Sequence, residues 1–158
     1  VLRLLAGLQA GVLGGVAMLA WAVATSAWRQ QPWWAFPNLM ASGLFGESVF
    51  RLGFGWASWS GIALLLFLTG TLGSVFALLV PASVSSFRFV LLAFAASLAW
   101  YYVTASPVLN RWAPLVPLYT PKPILYIGHL LLGLSLALER RHYRKLLGTF
   151  SERSDPSL

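Results

Sequence analysis

The sequence of 158 residues contains no cysteine and very little charge. The lack of cysteine excludes disulfide bonds, thiolate metal sites and cysteine nucleophiles. Only 9% of the residues are charged, whereas an ordinary soluble domain carries about 25%. With 58% hydrophobic residues and a mean hydropathy of +0.74, the chain cannot cover a water-facing surface. The composition therefore excludes a soluble globular domain and indicates an integral membrane protein with a formal charge of +7.

Acidic residues are scarcest of all, with four in the chain, and only Glu47 lies outside the C-terminal segment 139–155. The sequence has no paired carboxylates, metal-spaced cluster, phosphate-binding loop, dinucleotide fingerprint or nucleophile elbow. No Asp, Glu, Lys or Arg falls deep in an apolar stretch, where proton and cation transporters usually place such groups. We therefore predict a protein that is not an enzyme.

Four apolar stretches are long enough, or nearly so, to cross the roughly 30 Å of a bilayer core, which takes roughly 20 helical residues. They lie at about 4–28, 57–80, 84–104 and 123–138. The first stretch lacks a signal-peptide cleavage pattern, so we expect it to be retained as a helix. The fourth is short, and we expect the basic segment after it to continue the helix into water.

The longest predicted loop contains an apolar segment, about 38–51, that is too short and too charged to cross the membrane. We interpret it as a short interfacial or partly re-entrant helix on the outer face. The predicted fold class is therefore all-α: a single polytopic membrane domain over residues 1–150, with four transmembrane helices and one outer interfacial helix. Residues 151–158 are predicted to form a disordered polar tail.

The distribution of Lys and Arg predicts the orientation, because cytoplasmic loops carry the excess of positive charge. Four spans place both chain ends on one side, where seven of the eleven basic residues would lie. The cluster after Leu138 carries most of this weight. We predict a bacterial inner-membrane protein with both termini inside.

All eight tryptophans fall in the predicted outer half. Such rings favour the headgroup region, but an ordinary anchoring belt occupies both interfaces. Two interpretations stay open: an outer anchoring belt, or an aromatic surface for a partner subunit, lipid, quinone or pigment. The candidate surface consists of Trp33, Trp34, Trp56, Trp59, Trp100 and Trp112.

Glycines recur at helical spacing in the first two spans. Small residues let two helix backbones approach closely, which drives helix pairing in lipid. These faces serve either internal packing of the bundle or docking onto a neighbouring membrane protein. The candidate packing residues are Gly7, Gly11, Gly15, Gly70 and Gly73.

His129 is the one ionisable side chain well inside a predicted span. A neutral imidazole can hydrogen-bond across helices, can act as an axial ligand to haem or chlorophyll, or can take part in a proton relay. His142 lies thirteen residues further on, roughly 20 Å along one helix, and cannot share the same iron. His129 is therefore the candidate cofactor-binding residue.

Four short motifs resemble a broad group of small four-span bacterial membrane proteins of unassigned function. The motifs are the glycine-spaced segment 7–15, Trp33-Trp34 followed by Pro37-Asn38-Leu39, Pro107-Val108-Leu109-Asn110, and Gly128-His129-Leu130-Leu131-Leu132-Gly133. The resemblance implies a four-helix fold, draws attention to His129 and Asn38, and implies no activity.

These observations favour a non-catalytic integral subunit of a larger bacterial membrane assembly, foremost a respiratory or photosynthetic electron-transfer complex. Membrane lipids and other integral membrane subunits are the expected partners, and nucleic acid is not. The first alternative is a haem- or chlorophyll-binding membrane protein with His129 as axial ligand. The second is a transporter of a neutral or amphipathic small solute.

Overall fold

The computed structural model describes residues 1–81, 83–104 and 109–154, without the side chains of residues 109, 110 and 149–154. This part of the chain is helical and contains no strand. The helices are α1 (Leu2–Trp28), α2 (Ala35–Phe45), α3 (Trp56–Leu79), α4 (Ser86–Val103), α5 (Leu109–Trp112), α6 (Leu115–Tyr119), α7 (Lys122–Ala137) and α8 (Glu139–Ser154), with a short 3-10 helix over Glu47–Arg51 between α2 and α3.

The predicted all-α fold with four membrane-crossing helices is confirmed. Helices α1, α3 and α4 are each long and apolar enough to cross a bilayer, and so is the combined segment Lys122–Gly148 of α7 and α8. Helix α8 extends to Ser154, so residues 151–154 of the predicted tail are helical. Residues 155–158 lie outside the described part, as do Pro107 and Val108 of the third motif.

Helix α1 is the centre of the bundle, because it packs against α3 on one side and against α7 and α8 on another. Helix α4 packs mainly on α7, and α2 packs mainly on α3. Two arginines connect the elements at one end: Arg3 donates to the Val80 carbonyl and Arg140 donates to the Val84 carbonyl. We call this the basic end, and the opposite end, which carries α2, α5 and α6, the aromatic end.

The glycines of α1 determine how closely it approaches α3. A Cβ added at Gly11 would overlap the Thr69 carbonyl oxygen and lie 2.9 Å from the Cα of Gly70. A Cβ at Gly73 would lie 2.9 Å from the Cα of Gly11. Gly7 and Gly15 also face α3, so these glycines lie at one internal helix contact. Because the backbones nearly touch, dispersion and weak Cα–H bonds can hold the pair together in lipid.

The adjoining part of the same face of α1 is also built from small residues, and it meets α7. Gly14 faces Leu132 and Ser135 of that helix. Nearer the aromatic end, the Trp21 indole donates to the Ile124 carbonyl at 3.0 Å. Small residues along one broad face therefore let α1 contact both α3 and α7 closely.

The helix expected at 38–51 begins and ends earlier than predicted. Helix α2 spans Ala35–Phe45 and stops at Gly46, whose φ of +83° belongs to the left-handed region that glycine tolerates best. Seven consecutive residues, 36–42, are buried, because α2 lies against α3 where Gly61 leaves room for the Pro37 carbonyl. The apolar segment is thus part of the bundle wall, and the charged residues Glu47 and Arg51 follow it on the 3-10 helix.

Replacing Gly11 by alanine should destabilise the bundle, because the new methyl group meets backbone atoms of α3 that cannot rotate away. We expect a loss of about 1–3 kcal/mol, measured as earlier thermal unfolding of the detergent-purified protein. The matched control is Gly148→Ala in α8, where nothing lies within 4 Å of the added methyl group. Alanine at that position should preserve or raise stability. Equal unfolding of the two variants would contradict the close approach of α1 and α3.

Candidate functional site

A buried pair of polar side chains organises the aromatic end. Asn38 of α2 and Ser58 of α3 are both fully buried. The Ser58 hydroxyl donates to Asn38 Oδ1 at 2.7 Å, and Asn38 Nδ2 donates to the Leu52 carbonyl at 2.8 Å. Ser58 Oγ also accepts the Gly55 N–H at 3.3 Å. The pair therefore fixes both the α2–α3 contact and the segment that leads from the 3-10 helix into α3.

The connection between α1 and α2, this segment and the start of α3 together present a set of rings in contact, which we call the aromatic patch: Trp33, Trp34, Phe54 and Trp59. The centroids of Trp33 and Phe54 are 4.7 Å apart, those of Phe54 and Trp59 5.7 Å, and those of Trp33 and Trp34 5.8 Å. The Trp59 side chain is 62% exposed. The rings support one another and still present a large apolar surface.

The six tryptophans expected on one surface do not share one environment. Trp56, which is 57% exposed and stacks edge-on against Phe45 at 4.9 Å, lies beside the patch in sequence. Trp100 and Trp112 are instead half-buried and line a cavity inside the bundle. The positions of the tryptophans in the sequence do not distinguish exposed rings from cavity-lining rings, since all of them lie near helix ends.

A cleft of about 340 Å³ opens at the aromatic end between the end of α1, α2, the 3-10 helix and α6. This volume is within the roughly 300–1,000 Å³ of small-molecule sites. Trp34, Phe50 and Tyr119 supply aromatic walls, and Gln31 and Arg51 supply polar groups. Phe50 and Tyr119 stack with centroids 4.7 Å apart. The cleft suits an amphipathic molecule. It could not be predicted from the sequence, because its walls come from four separate segments of the chain.

His129 is buried between α7 and α4. Its Nδ1 lies 2.8 Å from the Leu125 carbonyl, and because a carbonyl only accepts, Nδ1 carries the proton of the neutral ring. The ring meets Tyr101 edge-on at a centroid distance of 5.2 Å. The His129 carbonyl accepts a hydrogen bond from Ser97. The residue thus makes local and interhelical contacts on both its backbone and its ring.

The cavity beside His129 has a volume of about 100 Å³. Its walls are apolar, Met18, Met40 and Leu65 among them, apart from Thr69, Thr104 and His129 itself. Small-molecule sites occupy about 300–1,000 Å³, so a haem or chlorophyll macrocycle does not fit beside this ring in the arrangement described. A cavity this small and this apolar is also a poor path for a polar solute.

In the described part of the chain, no group of three or more His, Cys, Asp or Glu side chains is arranged to hold a metal ion. One buried acid, Glu139, was not predicted as a site residue, because in sequence it belongs to the basic segment after Leu138. Its position directly after the last apolar residue of the fourth stretch, Leu138, is the only sequence signal that distinguishes it. In the structure it lies at the basic end, against Arg3.

Replacing Asn38 by leucine should destabilise the aromatic end, because the Leu52 carbonyl and the Ser58 hydroxyl lose their partner. A buried polar group without a hydrogen bond costs about 1–3 kcal/mol, so we expect a loss of this size in thermal unfolding. Ser58→Ala should cost a similar amount, since it removes the bond to Asn38 Oδ1 and the one from the Gly55 N–H. Ser60→Ala is the control: its hydroxyl bonds only to the Trp56 carbonyl of the preceding turn, and the change should stay within about 0.5 kcal/mol. Equal losses in the Asn38 and Ser60 variants would contradict this role.

No family model matches the chain, and no curated protein or solved structure matches it at a significant level. The guide to its function is therefore the geometry of its own residues.

Proposed function

We propose that this chain is a non-catalytic integral membrane subunit that binds a second membrane protein through the aromatic patch. The observation that carries the proposal is the exposure of stacked rings at one end of the bundle. Trp33, Phe54 and Trp59 contact each other in series, and each keeps a large exposed fraction. Aromatic residues are enriched in protein interfaces, and rings with few rotatable bonds lose little entropy on binding.

The use of the glycine faces also favours this location for a partner. Gly7, Gly11 and Gly15 contact α3, and Gly14 contacts α7. A neighbouring helix cannot reach these glycines without displacing one of the protein's own helices. Docking would therefore use a surface that remains exposed, and the patch is such an apolar surface at the aromatic end.

A simple anchoring belt is the competing explanation. Anchoring requires only that each ring lies at the headgroup level, and does not require the rings to contact one another. Here Phe54 connects Trp33 to Trp59, and the Asn38–Ser58 pair holds the backbone between these rings. This pre-organisation favours recognition of a partner surface over general anchoring.

The proposed assembly is a bacterial membrane complex. More specifically, we propose an electron-transfer complex of respiration or photosynthesis. In such a complex this chain would supply packing surface and no redox group, since no macrocycle fits beside His129 in the cavity described. The proposed orientation places both termini inside, so the patch would face the periplasmic side. A membrane partner with a periplasmic segment is then required.

The 340 Å³ cleft favours one second candidate function, the binding of an amphipathic small molecule at the aromatic end. Its aromatic walls would hold an apolar body and Arg51 an anionic or polar head. This corresponds to the first step expected of a small-solute transporter. It does not supply a path through the bundle.

The double substitution Trp33→Ala and Trp59→Ala should release the partner, because it removes two exposed rings of the aromatic patch. The measurement is co-purification of the tagged chain from native membranes in mild detergent, with mass spectrometry and site-specific photo-crosslinking from position 59. We expect the partner's yield to fall at least tenfold, which corresponds to about 1.4 kcal/mol or more of binding free energy.

The matched control is Phe67→Ala, which removes a ring of similar exposure from the middle of α3. It should leave both co-purification and crosslinking unchanged. A wild-type chain that purifies alone, with crosslinks to lipid only, would contradict the proposal and favour the anchoring belt.

A further inference from the structure

The basic end contains a cavity of about 240 Å³ that none of the functions above uses. It is lined by Arg3 at the start of α1 and by four residues at the start of α8: Glu139, Arg140, Tyr143 and Arg144. The cavity therefore lies where two apolar helices end and polar sequence begins. Three guanidinium groups and one carboxylate meet there.

Glu139 is the unusual member of this set. Its side chain is only 1% exposed, and Oε1 is buried without a hydrogen-bond partner. A buried carboxylate oxygen without a donor is costly, and native proteins rarely keep one. Glu139 is also one of the residues that line the cavity, so a ligand bound there would lie next to a carboxyl group that lacks a hydrogen-bond donor.

The neighbouring arginines do not supply that donor. Arg3 directs a guanidinium N–H to the Val80 carbonyl at the end of α3, and Arg140 directs one to the Val84 carbonyl. The Arg140 guanidinium also lies over the Phe89 ring, 4.2 Å from its centroid. These contacts secure the connection between α3 and α4, and both arginines line the same cavity as Glu139.

We propose that this cavity binds a phospholipid headgroup that combines a phosphate with its own hydrogen-bond donor, as phosphoethanolamine does. The ammonium group would donate to Glu139 Oε1, and the phosphate would accept from Arg144 and the Tyr143 hydroxyl. Hydrogen bonds between charged groups are the strongest of their kind. One zwitterion thus meets the requirements of both the buried carboxylate and the exposed guanidinium.

Size and position favour a membrane lipid over a soluble phosphate compound. The volume of about 240 Å³ is below the usual range of sites for whole drug-sized ligands, about 300–1,000 Å³. This volume suits the headgroup of a lipid whose acyl chains lie outside the cavity. Leu4, Leu5 and Leu8 of α1 are exposed directly after Arg3, so an acyl chain has an apolar surface to follow toward the membrane centre.

The decisive comparison is between two lipids of equal net charge. Phosphatidylethanolamine has three N–H donors on its headgroup, whereas phosphatidylcholine has a methylated ammonium with none. Dioleoyl forms of both are titrated into the delipidated, detergent-solubilised full chain, and bound lipid is counted by native mass spectrometry. We expect one tight site that favours phosphatidylethanolamine at least fivefold, about 1 kcal/mol.

Glu139→Gln should reduce this preference to less than twofold, because a neutral amide oxygen accepts more weakly than a carboxylate. Arg144→Gln should weaken both lipids alike, since each has the same phosphate. The matched controls are Glu47→Gln on the 3-10 helix and Arg88→Gln on α4, which lie outside the cavity lining. Both should bind like the wild-type chain.

Three outcomes would overturn the proposal. The first is equal binding of the two lipids by the wild-type chain, even if anionic phosphatidylglycerol binds more tightly, because that marks a general basic surface. The second is an unchanged preference in a folded Glu139→Gln variant. The third is displacement of the lipid by soluble O-phosphoethanolamine at similar concentrations, because the site would then not require a lipid.

Discussion

The close approach of α1 and α3 is the contact on which the rest of the structure depends. Lipid provides no hydrophobic force to press two apolar helices together, so their attraction must come from contact at short range. Gly7, Gly11 and Gly15 provide that range on one face of α1, and Gly14 provides it toward α7. Because α1 contacts both α3 and α7, and α4 packs on α7, the four spans form one bundle. Both candidate sites form at the ends of this bundle, where residues from separate helices meet.

The two ends of the bundle differ in how their buried polar groups are hydrogen-bonded. At the aromatic end, Asn38 and Ser58 satisfy each other and two backbone groups, so a buried polar pair fixes the ring-bearing segment. At the basic end, arginine side chains cap backbone carbonyls between α3 and α4, and the acid among them keeps an oxygen without a partner. The first arrangement is complete by itself and positions a surface. The second is incomplete, which is why it points to a ligand.

The fold class and the four spans could be predicted from composition and from the length of the apolar stretches, because backbone groups in a bilayer must be satisfied within each helix. The helix after the first span was less predictable. Its apolar residues are equally consistent with an interface or with a bundle wall, and its limits depend on Gly46, where the backbone turns left-handed. His129 was found by its isolation in an apolar stretch. Its surroundings could not be predicted: the imidazole bonds to the Leu125 carbonyl, contacts the Tyr101 ring and lies beside a small cavity.

The sequence by itself determined that this is a four-span helical membrane protein with most of its rings toward one end and its charge excess toward the other. These properties depend on the periodicity and polarity of single segments, which act locally. Only the tertiary structure decided that the glycines are used internally, that Trp100 and Trp112 line an interior cavity while Trp56 and Trp59 remain exposed, and that Glu139 is buried among arginines. Each of these depends on which helix lies opposite a residue. Helix pairing in lipid depends on close packing between two helix surfaces, which the sequence of one segment does not specify.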